Sequence, residues 1–132
     1  MKRILLCAAL TCAAAGMAEA SKSGNMSGTE LRKAVSGKTV YLSTSGVVVP
    51  ISYQANGTMS GRLQALAAAF AGDNRPADAG RWWISNHKLC QRWNNWLGKK
   101  SYCYKLSREG DKVVWVRSDG RRGTARIGAA SP

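Results

Sequence analysis

The chain has 132 residues, enough for one domain with a single core. Lysine and arginine number 20 against 7 aspartates and glutamates, a net charge of +13; that field favours polyanionic partners and disfavours a basic protein as target. With one histidine and no clustered ligands, the sequence has no metal-site spacing; it also lacks a P-loop and a dinucleotide fingerprint, so no cofactor is expected.

Lys2 and Arg3 precede a short apolar run, Ile4 to Ala15, too short to cross a bilayer as a helix. Ala18-Glu19-Ala20 then fits the small-x-small pattern of signal peptidase. This predicts a signal peptide over 1–20, a mature chain from Ser21 without a transmembrane segment, and a periplasmic or secreted location. An amphipathic N-terminal helix is the alternative. Cys12 follows Ala9-Leu10-Thr11, where Leu is one position out of place for lipidation. Removal of the leader takes away Lys2, Arg3 and Glu19 and leaves 18 cationic and 6 anionic side chains. Two cysteines also remain, Cys90 and Cys103, and in an oxidising compartment such a pair forms a disulfide.

Residues 21–28 are small and polar and read as a flexible N-terminus. Ser27 followed by Glu30 is a capping-box pattern; Leu31, Ala34 and Val35 follow at helical spacing, and Gly37 can end the turn. One short helix is predicted, about 29–36. The period then changes to two. Val40 and Leu42 share a face, as do Val47, Val49, Ile51 and Tyr53; Pro50 cannot donate to a ladder and marks an edge or a bulge. Asn56-Gly57 is a strong hairpin signal. An Ala-rich insertion over 65–80 breaks the pattern as a short helix or a loop. Strands resume at Arg81-Trp82-Trp83-Ile84-Ser85; Asn86–Asn94 follows as another strand or continues it, and Tyr102–Arg108, Lys112–Ser118 and Gly123–Gly128 complete the set, with turns at Glu109-Gly110-Asp111 and Asp119-Gly120. The last four residues, 129–132, form a tail. The predicted fold is mainly β: a small antiparallel meander closing into a barrel or half-barrel of seven to eight strands with one short N-terminal helix, in a single domain over 29–128.

On antiparallel strands around Leu97-Gly98, Cys90 and Cys103 lie nearly opposite each other. Alternation puts Leu89, Gln91, Trp93, Tyr102, Tyr104 and Leu106 on one face, most simply the core. Lys88, Cys90, Arg92, Cys103 and Lys105 take the other, basic face. Trp96 sits by the turn with Arg92, Lys99 and Lys100; it can stack on a base or a sugar, or else cap the barrel end.

Gly37-Lys38-Thr39-Val40, Asn56-Gly57-Thr58-x-x-Gly61, Gly80-Arg81-Trp82, Leu89-Cys90-x-x-Trp93 and the later Cys103 occur in an order that resembles a family of small secreted proteobacterial proteins, the domain-of-unknown-function 995 type. The resemblance spans about residues 28–106 and implies an exported, disulfide-bearing β domain. It carries over no catalytic residue. The Ala-rich insertion before Gly80 departs from the pattern, as does Asn56 where Asp is commoner.

His87, the one histidine, has no nucleophile placed by spacing, and the carboxylates fall mostly in turns; no catalytic residue is assigned. The expected function is a non-catalytic binding module for an anionic or amphiphilic envelope component. Its partner would be an anionic polysaccharide, a lipid headgroup or an envelope protein. Lys88, Arg92, Lys99, Lys100, Lys105, Arg121 and Arg122 supply charge and Trp96 a stacking surface. The alternatives are a cell-wall or polysaccharide-acting enzyme using His87 or a carboxylate, and a structural envelope protein whose basic surface is only solvation. Export argues against nucleic acid.

Overall fold

A computed structural model of the protein describes residues 24–63 and 75–128. The predicted leader, residues 65–74 of the Ala-rich insertion and the 129–132 tail lie outside the described residues. The elements run β1 (Gly24–Asn25), α1 (Gly28–Val35), β2 (Lys38–Thr44), β3 (Val47–Tyr53), β4 (Thr58–Arg62), β5 (Ala77–Ser85), β6 (Lys88–Trp93), a 3₁₀ turn (Trp96–Lys99), β7 (Ser101–Glu109), β8 (Lys112–Arg117) and β9 (Arg122–Gly128).

Each strand from β2 to β9 pairs antiparallel with the next, and β9 returns to β2 with Val40 opposite Ile127. The result is a closed eight-stranded barrel, with β1 added beside β7. Closure leaves no free edge around the ring. Large inward side chains fill it: Trp82 packs edge-on to Tyr53, Tyr104 edge-on to Trp115, and Trp93 against Trp96. Such bulk needs glycine opposite. A Cβ on Gly123 would lie 2.6 Å from the Trp115 ring, and one on Gly61 would lie 2.7 Å from Trp93.

The helix forms as its cap predicts. Ser27 Oγ accepts the Glu30 N–H at 3.3 Å, Leu31 and Val35 are fully buried, and Gly37 turns the chain at φ 69°. Residues 24–28 are not a flexible arm. Gly24 and Asn25 pair with Arg108 and Ser107, the Met26 N–H donates to the Leu106 carbonyl at 2.9 Å, and the Met26 side chain is buried. The strand predicted from Arg81 starts earlier, at Ala77, because Ala77–Gly80 pair with Met59–Arg62.

Pro50 sits in an unusual wall. It lies opposite Tyr41 of β2, whereas on the other side the β3–β4 ladder runs only from Tyr53↔Met59 to Ile51↔Gly61. With no N–H at position 50 to continue it, that ladder ends at Ile51 among the described residues. The predicted edge is thus a local one, inside a closed barrel.

Candidate functional site

Two surfaces collect the chemistry-bearing side chains: the outer wall of β4–β7, and the open end of the barrel.

The outer wall carries the disulfide. Cys90 and Cys103 face each other in register and are bonded, as expected from the sequence. Lys88, Arg92 and Lys105 are exposed on this wall, and the paired register adds Arg81, directly opposite Arg92, and Arg62 at the end of β4. Trp83 lies opposite Cys90 and is 38% exposed. Among the described residues, no carboxylate occupies an outward position from Thr58 to Arg62 or from Ala77 to Ser107 on this wall: Asp78 points to the inner side, and Glu109 lies beyond Ser107 at the strand end. Two like charges set opposite each other in a ladder repel, and here they border an indole and a rigid sulfur bridge.

Trp96 does not belong to this surface. It is 5% exposed, and its indole N–H donates to the Arg75 carbonyl at 3.1 Å. Asp78 fixes it, accepting the Trp96 and Asn95 backbone N–H groups at 2.8 Å each and the Asn95 side-chain amide at 3.0 Å. Burial opposes ionisation of Asp78, but these donors outweigh it and hold the carboxyl below its ordinary range. Trp96 therefore caps the barrel end, the second of the two roles open to it from sequence. The exposed aromatic of the basic wall is instead Trp83. The signal for it lay in alternation: with Gly80, Trp82 and Ile84 inward, Trp83 must point out.

At the open end, a cavity of about 220 Å³ is walled by Leu42, Val49, Ile51, Leu63, Trp93 and Trp115. Its polar lining includes Gln91, Tyr104, Arg117 and Arg121. Tyr53 OH donates to Gln91 Oε1 at 2.7 Å, which satisfies a buried amide deep in the barrel. Burial raises the Tyr104 hydroxyl pKa, although Arg117 and Gln91 beside it act the other way. Arg117 sits over the Tyr102 ring at 4.3 Å and gives Nε and Nη2 to Asp119 at 2.8 and 2.6 Å. The Arg117 hydrogen bonds hold the Asp119 carboxyl down at about 2.

The remaining predicted cations divide between these places. Arg121 is exposed and lines the cavity mouth. Lys99 and Lys100 are exposed in the β6–β7 connection at the same end, and Arg122 is exposed at the start of β9, opposite Val116. The eight candidates are thus not one patch. Sequence reasoning missed Arg81 and Trp83 on the wall and Gln91, Tyr104 and Arg117 as cavity lining.

His87 has a structural task. Asn86 and His87 both take positive φ, 49° and 57°, in the tight β5–β6 hairpin, and His87 Nδ1 accepts the Gly28 N–H at 2.8 Å, tying the start of α1 to the barrel. Among the described residues no three His, Cys, Asp or Glu side chains converge as metal ligands, and no helix is long and apolar enough to cross a membrane.

Fold and site define the class: a small disulfide-bonded, closed antiparallel barrel with a basic wall and an apolar internal cavity. Comparison with family models, curated proteins and solved structures gave no match.

Proposed function

We propose that the protein is an exported, non-catalytic binding module whose β4–β7 wall holds an acidic polysaccharide of the cell envelope. The Arg81–Arg92 opposition beside exposed Trp83 carries this reading. Its repulsion is a standing cost that a bound anion relieves. Guanidinium forks fit planar carboxylates, and an indole face stacks on the apolar face of a sugar ring. Lys88 and Lys105 extend the charge along the wall, which suits a polymer with repeating anions. The disulfide supports the export part of the proposal, since such bonds persist in oxidising compartments. His87 is engaged with the helix start, so the catalytic alternative through it is not favoured.

Calorimetric titration of the disulfide-bonded protein with polygalacturonate, beside neutral dextran, tests the reading. Binding of the acidic polymer should weaken steeply as salt rises from low to physiological strength, and dextran should not bind. Equal binding of both polymers, or no binding of the acidic one, overturns it and leaves the basic wall as a solvated surface.

A further inference from the structure

The barrel interior is a second site, independent of the outer wall. We infer that it binds a small hydrophobic monocarboxylate, with its apolar body in the barrel and its carboxylate at Arg121.

Size sets the body. A cavity of roughly 150 Å³ lined by aliphatic and aromatic side chains takes up benzene, so about 220 Å³ holds a ring with a short chain or a medium-length alkyl chain. The walls match such a body, because Trp93, Trp115, Leu42, Val49, Ile51 and Leu63 present only apolar surface apart from the indole N–H groups. Trp115 already gives its indole N–H to the Thr124 carbonyl at 3.1 Å.

Charge sets the head. The mouth has two guanidiniums, Arg117 and Arg121, and one carboxylate, Asp119. Arg117 spends Nε and Nη2 on Asp119, and the Arg121 backbone N–H donates to the same carboxylate at 3.3 Å. The Arg121 guanidinium has no carboxylate partner among the described residues. Of the two guanidiniums that line the cavity, Arg121 is thus the one left to receive a carboxylate head. Exposed Lys99 and Lys100 at the same end add to the attracting field.

Among the described residues the β3–β4 ladder ends at Ile51↔Gly61, and Val47, Val49 and Leu63 beyond it line the cavity. Pro50 keeps the strands from zipping further.

Tryptophan fluorescence reads binding directly, since Trp93, Trp96 and Trp115 line the cavity. The disulfide-bonded protein is titrated with octanoate, 3-phenylpropionate, octanol and octylamine. Saturable one-to-one quenching by one or both carboxylates, with the amine much weaker, is expected; the stronger of the two tells whether the body is alkyl or aromatic. Arg121→Gln, a change of an exposed side chain, should weaken carboxylate binding by about tenfold or more while leaving octanol unaffected. Leu42→Phe, which fills the cavity, should weaken all apolar ligands together. The inference is overturned if no ligand saturates, if octylamine binds as well as octanoate, or if Arg121→Gln leaves octanoate affinity unchanged. Polygalacturonate binding serves as a separate readout: its loss without loss of octanoate binding removes the outer-wall reading alone.

Discussion

The Asp78 carboxylate accepts the backbone N–H of Trp96 at 2.8 Å, and through that bond a side chain at the start of β5 sets an indole that lines the cavity at one end of the barrel. Asp78→Ala leaves the Asn95 and Trp96 N–H groups without their acceptor and should destabilise the protein by about 1–3 kcal/mol. Chemical denaturation measures the loss, and a red-shifted tryptophan emission in the native baseline would report the freed indole. An unchanged midpoint and spectrum would show that Trp96 is held by packing alone.

The same carboxylate predicts an acid limb. Its pKa is depressed in the folded state, so its contribution is fully present above the unfolded value, about 3.9, and is lost as pH falls below that toward the folded value. Thermal stability followed from pH 6 to pH 2 should therefore fall more steeply for the native protein than for Asp78→Asn. Parallel curves would remove Asp78 from the acid response.

Arg92→Glu separates structure from binding. Across the ladder it turns the Arg81 opposition into an attraction, which should stabilise the protein by roughly 0.2–1 kcal/mol. On the proposed reading it should at the same time weaken polygalacturonate binding. Stability and affinity moving in opposite directions is the expected result. Weaker stability with unchanged affinity would contradict both expectations.

Replacing Cys90 and Cys103 with serine opens a loop whose ends are 13 positions apart, and should cost about 3 kcal/mol by chain entropy. Far-ultraviolet circular dichroism during thermal unfolding should show a barrel that melts earlier. No change in midpoint would mean that the strand register alone holds this wall.

Gly123→Ala places a methyl group 2.5 Å from the Ser43 carbonyl oxygen and 2.6 Å from the Trp115 ring. Overpacking of this kind costs about 1–3 kcal/mol, readable as a lower denaturation midpoint. A neutral substitution would show that both the Trp115 ring and the β2 backbone at Ser43 can give way.

Much of this molecule could be read from residue order. The capping pair Ser27 and Glu30, the alternation of Leu89, Gln91 and Trp93, and the Cys90–Cys103 opposition are local features, and local pattern specifies them. What escaped was non-local. The place of Trp96 beside the turn left both an exposed and a capping role open, and only Asp78, 18 positions away, reveals why it turns inward. Met26 is held by a carbonyl on β7, a partner that no neighbouring residue indicates. The cavity depends on where the β3–β4 ladder stops. Pro50 hinted at an interruption, but the register of Ile51 with Gly61 was needed to place it. The cationic candidates were found by charge, and charge alone does not say which side chains the curvature of a barrel will separate.

The ladder between β2 and β9 joins the first long strand to the last, whereas the other ring pairings link consecutive strands. Hairpins can form early from short loops, but the ring shuts only after Val40 meets Ile127 across most of the domain. Until then the inward side chains of the two strands, Val40, Leu42, Ala125 and Ile127, face water along an unfinished seam. The time spent with that seam open, more than the strength of any single hairpin, should govern how much of the newly made protein is lost to aggregation.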